Sequence, residues 1–371
     1  MTYLHIDNLT KRFGNLTAVQ DVSFSVDEGE FVTVVGPSGC GKTTTLRMIA
    51  GLEEPTSGTI RIDGSDITSL PAYRRDIGVV FQDYALFPHK TVFENIAFGL
   101  KMRGEDEQTQ REAVDEMLEI IDLEGYEDTY PHECSGGEQQ RVAVARALAF
   151  DPDLVLMDEP LSNLDKKLRQ SMRTELKRIQ AETGVTTIYV THNQTEALSM
   201  GDDIAVLNDG QLQQFDDPKR VYREPEAPFV ADFLGQSSRV DGVLETPSRV
   251  DLGDGNSVAI SERDGFTPGD EVAVFLRNEL VSIATEQPST GNVFEGIVTE
   301  LDYQGGEVNY FVDVPSLDIS VQVSTVVSQT DSFLEAGMDV WMQIDPSDVI
   351  YTRIDDQSRT EVSPAEAAVE Q

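Results

Sequence analysis

The sequence predicts a mainly parallel α/β sheet followed by a separate all-β domain, on three observations. Apolar strand-like runs alternate with amphipathic helical stretches from residue 31 to about residue 200, the pattern of strands that return through helices. A glycine-rich loop joins one such run to a helix. Beyond about residue 236 the helical period gives way to short β runs with turn signals, which continue to about residue 354 and suit one or two small barrels.

Residues 1–35 alternate apolar and polar ("YLHIDNL", "VSFSV") and close in the apolar run Phe31–Val35, so short strands with a buried one last are expected. Residues 42–50 read as a helix and "SGTIRIDG" as a hairpin. The pattern from 83 to 133 is mostly helical and includes the acidic amphipathic run "EQTQREAVDEMLEIIDL". A helix opened by "CSGGEQQRVAVARAL" comes next, then the strand "DLVLMD", a helix over 165–182 and the strand "TTIYVTH". Residues 356–371 read as an acidic frayed tail.

The chain of 371 residues is long enough for more than one core. No apolar run approaches the ~20 residues that cross a bilayer. The start "MTYLHIDNLTKRFG" has no apolar core, so no secretion signal is expected. Two cysteines make no disulfide framework and point to a reducing cytoplasm. The charge is extreme, with 67 acids against 28 bases and a net of −39. Residues 1–240 hold 41 acids and 23 bases, and residues 241–371 hold 26 and 5. Such a surface excludes nucleic acid as a partner, since phosphates require a basic patch.

"GPSGCGKT" (Gly36–Thr43) follows the buried run and precedes a helix. Glycines let backbone N–H groups curl round phosphates, and the helix start adds its dipole. Gly36, Pro37, Ser38, Gly39, Cys40, Gly41, Lys42 and Thr43 are therefore assigned to a triphosphate, with Lys42 on the β and γ phosphates and Thr43 on Mg²⁺. "LVLMDEP" is an apolar strand ending in two acids. Asp158 is assigned to Mg²⁺ and Glu159 to orienting and deprotonating the attacking water. Ser135, Gly136 and Gly137 open a helix with little side chain, and since glycine loses the most backbone entropy there, something must approach this helix start closely.

Together these motifs resemble the ATP-binding subunits of ABC transporters, over residues 1 to about 235. The resemblance implies a P-loop NTPase fold with a helical subdomain at about 83–140, an OB- or TOBE-like β domain over 236–355, and ATP with Mg²⁺ as ligands. "CSGGEQQR" is similar to the family signature, which contacts the nucleotide held by a second subunit. A dimer closing on two ATP is thus implied, most simply of two copies of this chain. By the same resemblance Thr44 joins the phosphate loop, Phe13 stacks on adenine, and Gln82 touches Mg²⁺ or the water. Asp165 lies in the D-loop "LSNLD", with Asn163 where Ala is usual, and His192 contacts the γ-phosphate. Cys134 and Glu138 stand where the family usually has Leu and Gln, and Glu138 places a negative charge near the triphosphate. Oxidation of Cys40 and Cys134 would link or block the two subunits.

"YALFPHKTVFENIAFGLKMRG" is similar to the import subfamily that serves binding-protein-dependent permeases. That implies an integral-membrane permease docking near Tyr84–Phe87, an extracytoplasmic solute-binding protein, and a place on the cytoplasmic face of the cell membrane. "FLRNEL" resembles an Arg-Pro-Glu element of the subfamily's β domain, with Asn278 in place of Pro. The substrate reading leans to a polyamine or an inorganic ion such as iron, molybdate or tungstate, with a sugar as the alternative. A soluble non-transport ABC ATPase and a non-hydrolysing regulatory scaffold are the rivals of another class.

The acid excess reads as a surface suited to multi-molar salt. Raising ionic strength from 0.1 to 1 M shortens the screening length from about 10 to about 3 Å. Equilibrium unfolding in low and multi-molar KCl should therefore show a marked gain in stability with salt; equal stability in both removes this reading.

Overall fold

In the computed structural model, which describes residues 2–327 and 333–354, the chain begins with two long antiparallel strands. β1 (Thr2–Phe13) and β2 (Leu16–Asp27) pair along their length, where several short strands were expected. The tail expected at 356–371 lies outside the described residues. The chain divides into two units, Met1–Pro218 and Lys219–Gln371.

In the first unit, β3 (Phe31–Val35) is buried at every residue and runs into α1 (Lys42–Ile49). β4 (Ser57–Ile62) and β5 (Ser65–Asp66) form the short expected hairpin, and β4 also pairs with β1, giving the antiparallel order β2-β1-β4-β5. β6 (Ile77–Val80) leads into the helical region, α2 (Val92–Ile96), α3 (Phe98–Arg103) and α4 (Glu107–Ile120). α5 (Gly136–Leu148) follows, then β7 (Leu154–Asp158), α6 (Lys166–Thr183), β8 (Thr186–Thr191), α7 (Gln194–Met200), β9 (Asp203–Asn208) and β10 (Gln211–Asp216). These strands make a sheet of order β10-β9-β3-β8-β7-β6, parallel except for the β9–β10 hairpin. Its central strands are buried on both faces, against α5 and α6 on one side and against α1 with strands β1, β2 and β4 on the other.

The unit boundary falls ahead of the expected 235/236. Two short helices, α8 (Pro218–Arg223) and α9 (Pro228–Phe233), precede the β region. Ala231 of α9 is buried with Ala273, Phe275 and Ile350, which ties that helix to the second unit's strands. Those strands are β11 (Ser237–Thr246), β12 (Arg249–Gly253), β13 (Asn256–Ala259), β14 (Glu271–Arg277), β15 (Ser282–Ala284), β16 (Asn292–Tyr303), β17 (Glu307–Val314), β18 (Ile319–Val326), β19 (Asp339–Ile344) and β20 (Ile350–Arg353). They form two five-stranded antiparallel sheets, β13-β12-β11-β14-β20 and β15-β19-β16-β17-β18, which share one apolar core. Arg277 ends β14 fully buried, its guanidinium 4.0 Å from the Tyr222 ring centre. Asn278 donates its backbone N–H to Gln236 O at 3.1 Å, a bond that proline could not make. Among the described residues no helix is long and apolar enough to cross a membrane.

β6 packs so closely on α5 that a Cβ at Gly78 would lie 2.4 Å from Ala147 O. Gly78→Ala should cost about 1–3 kcal/mol through overpacking, read as a lower urea midpoint at unchanged m-value.

Candidate functional site

Strand register assembles the site. β3 pairs Val35 with Thr191, and β7 pairs Asp158 with Val190. The three chain segments that leave β3, β7 and β8 therefore emerge at one edge of the sheet, as expected where parallel strands end. They carry Gly36–Thr43, Asp158–Glu159 and His192.

In the phosphate loop, Gly36, Cys40, Gly41 and Lys42 are buried, Pro37 and Thr44 half-buried, and Ser38, Gly39 and Thr43 exposed. Glycine at 36 has an internal reason, since a Cβ would meet Leu207 O at 2.1 Å. Gly41 sits at φ +100° against Ala18 O, a backbone that only glycine adopts freely. Lys42 Nζ donates to Gly36 O (2.8 Å) and Pro37 O (2.9 Å), which holds the ammonium inside the curl of the loop. Thr43 Oγ1 donates to Asp158 Oδ1 at 3.0 Å. Burial, chiefly, raises the Asp158 carboxyl above its usual range, while the Thr43 bond lowers it.

Glu159 adopts φ +44°, a left-handed backbone that costs a non-glycine residue about 1–2 kcal/mol. Bonds on both sides hold it there: its N–H donates to Val190 O (3.0 Å), and its own O accepts from Ser162 Oγ (2.9 Å). The turn brings Glu159 Oε2 to 2.9 Å from His192 Nδ1. An ionised carboxylate only accepts, so this nitrogen carries the proton in the pair.

Phe13 ends β1 with 47% of its surface exposed and Lys11 Nζ 4.9 Å from its ring centre, so it is not a core aromatic. The Gln82 side chain is exposed and bonds to neither Thr43 nor Asp158, while the Gln82 backbone carbonyl accepts from Asn163 Nδ2 at 3.1 Å. Asp165 caps α6, its carboxylate accepting from Lys167 N and Leu168 N. Tyr84, expected on a docking surface, belongs to the core at 7% exposure; Leu86 is half-buried against that core, and half-buried Phe87 has its ring centre 4.6 Å from that of Phe98.

At the start of α5 the two glycines differ. Gly136 is exposed, whereas Gly137 is buried, and a Cβ there would press on Leu168 at 3.2 Å. Packing thus explains Gly137 as well as anion approach does. Ser135 caps the helix, and Glu138 completes a capping box with Oε2 accepting from Ser135 N at 2.7 Å. Glu138 Oε1 accepts from Tyr126 OH at 2.9 Å. The Ser135 bonds, foremost, hold the Glu138 carboxyl below its usual range. The charge is thus engaged in the helix start, where an acid is favoured. Cys40 and Cys134 are both buried, and burial pushes both thiols up. Neither is the accessible low-pKa thiolate that oxidants attack, which removes the basis for the expected oxidative link.

Sequence reasoning missed Tyr126, Arg146, Arg169 and Glu196. Arg169 donates to Leu161 O, Ser162 O and Leu164 O, so it holds the D-loop. Glu196, 3% exposed, accepts from Tyr189 OH (2.8 Å) and Thr191 Oγ1 (2.7 Å) and lies 3.9 Å from Arg169 Nε. Its one local signal is the spacing from Asn193, whose side chain caps α7 by accepting from Glu196 N.

Residues 19–162 match the ABC transporter family model and residues 274–351 the TOBE domain model. The spermidine/putrescine import ATP-binding protein PotA of Rubrobacter xylanophilus is 45% identical over 84% of this chain and 84% of its own. That of Chromobacterium violaceum is 46% identical over 85% and 89%. The Fe(3+) ions import ATP-binding protein FbpC of Brucella abortus is 42% identical over 87% and 93%. Among solved structures, a dimeric post-hydrolysis state of the ATP-binding cassette MJ0796 with ADP and Pi aligns with a TM-score of 0.52 at 34% identity, covering 58% of this chain and 98% of that one.

Glu138→Gln should keep the ATP hydrolysis rate within about twofold of wild type, because glutamine closes the same capping box. A rise of about tenfold would show that the charge, not the cap, governs the rate.

Proposed function

The chain belongs to the family of ATP-binding subunits of ABC import transporters, and from that premise we propose that it hydrolyses ATP to drive a membrane permease that imports a polyamine. The observation that carries the ATPase reading is the Glu159–His192 pair, set at the same sheet edge as the Thr43–Asp158 pair. Glu159 takes the proton of the attacking water, and His192 fixes the carboxylate that does so. Lys42 and the N–H groups of the phosphate loop bind the β and γ phosphates. Phe13 offers an exposed ring face to adenine.

Thr43 and Asp158 present two hard oxygens 3.0 Å apart. Mg²⁺ is held by one or two carboxylates together with substrate phosphates and water, so these residues fit it. When bound there it would neutralise charge on the phosphates, with Gln82 the third residue assigned to it. Ser135 and Gly136 serve the nucleotide of a second copy, which makes the working form a dimer; the dimeric state of the solved relative supports this. Leu86 and Phe87 mark the expected permease face, and a solute-binding protein completes the importer.

The substrate reading rests on the spermidine/putrescine relatives. Ferric iron is the second reading, on the Brucella relative.

Glu159→Gln should bind ATP, lose hydrolysis by about 10²–10⁴-fold, and run as an ATP-stabilised dimer on gel filtration; full activity would remove Glu159 from its role. Cells relying on that variant should lose uptake of labelled spermidine. Loss of ferric-iron uptake in its place would assign the second reading.

A further inference from the structure

Two successive non-glycine residues just beyond Gln82 adopt a left-handed backbone, Tyr84 at φ +59° and Ala85 at φ +48°. Such a pair persists only where its surroundings hold it. Part of the hold is local, with Tyr84 N–H donating to Phe81 O at 2.9 Å and Ala85 N–H to Asp83 O at 2.6 Å, and the part that comes from another element is one side chain. Arg146 Nη2 donates to Tyr84 O at 2.7 Å and Nη1 donates to Ala85 O at 2.7 Å. The guanidinium lies 5.6 Å from the Phe87 ring centre. In a chain with 67 acids, this arginine's guanidinium is aimed at two backbone carbonyls.

Arg146 lies in α5, the helix that begins at Gly136 with Ser135 as its cap. No glycine or proline interrupts the helix between Gly137 and Arg146, so its two ends move together. One end carries the residues offered to a partner's nucleotide; the other grips the loop that carries Gln82. Asn163 adds a tie from the D-loop through Gln82 O.

We propose that Arg146 is a positioning residue: its fork ties the left-handed Tyr84–Ala85 backbone to the signature helix, so that seating α5 on a partner's nucleotide sets Gln82 in place for hydrolysis. The proposal rests on the nucleotide-site reading given above. A planar fork of donors matches two neighbouring carbonyls, which a lysine ammonium on its flexible stem does not. The clamp acts on geometry at the reacting end and not on the phosphate loop, so nucleotide affinity lies outside its reach.

The test uses the full-length chain and steady-state ATP hydrolysis. In Arg146→Gln and in Arg146→Lys, kcat should fall about tenfold to a hundredfold, as small misplacements do, while KM for ATP stays within about twofold. Ala85→Gly added to either variant should restore at least about a third of the lost rate, because glycine keeps φ positive without the clamp. A merely structural role for Arg146 would lower stability and would not be rescued by a glycine. Wild-type kcat in both single variants overturns the proposal, and so does a loss that Ala85→Gly leaves untouched. Should Arg146→Gln not fold, Arg146→Lys with and without Ala85→Gly decides in the same way. A wild-type chain without ATPase activity would instead overturn the ATPase reading itself.

Discussion

The parallel pairing of β3, β7 and β8 is the constraint on which the rest depends. It aligns Val35 with Thr191 and Asp158 with Val190. A shift of one residue in either pairing would turn Asp158 or the phosphate-loop entry to the other face of the sheet. The register is fixed because these strands are buried on both faces, under α5 and α6 on one side and under α1 with β1, β2 and β4 on the other. That register brings the residues immediately after each strand together.

Among the described residues, the positive-φ positions that are not glycine, asparagine or aspartate lie at this edge. Glu159, Tyr84 and Ala85 all hold positive φ. Each is secured by bonds from another segment: Glu159 through Val190 O, and the Tyr84–Ala85 pair through Arg146. Strain of this kind persists only where surrounding structure holds it and is typical of functional sites. The D-loop is held likewise, by three carbonyls gathered on Arg169 and by Glu196 behind it.

The acidic composition does not spoil the phosphate chemistry, because the acids nearest to it have local work. Glu138 closes a capping box and receives Tyr126 OH, and Asp165 caps α6. Asp158 and Glu159 are paired with Thr43 and His192. Both cysteines behave as small buried hydrophobes.

Much of the site was legible in the sequence. Gly36–Thr43, Asp158 and Glu159 are contiguous motifs, so the sequence alone proposes a chemistry for them, and the alternation of strands and helices implies the parallel sheet that brings them to one edge. The change to an all-β unit was legible too, although helices α8 and α9 were too short to leave a periodic signal. Tertiary structure alone decided that Tyr84 is core, that Phe13 is exposed, and that Gly137 answers to Leu168. It also decided the arginine clamps. The physical reason is common to them: Arg146 and Arg169 bind backbone carbonyls, and every residue carries the same carbonyl. A side chain recognised by a motif announces its partner in the sequence, whereas one that grips the main chain does so only once the chain has folded.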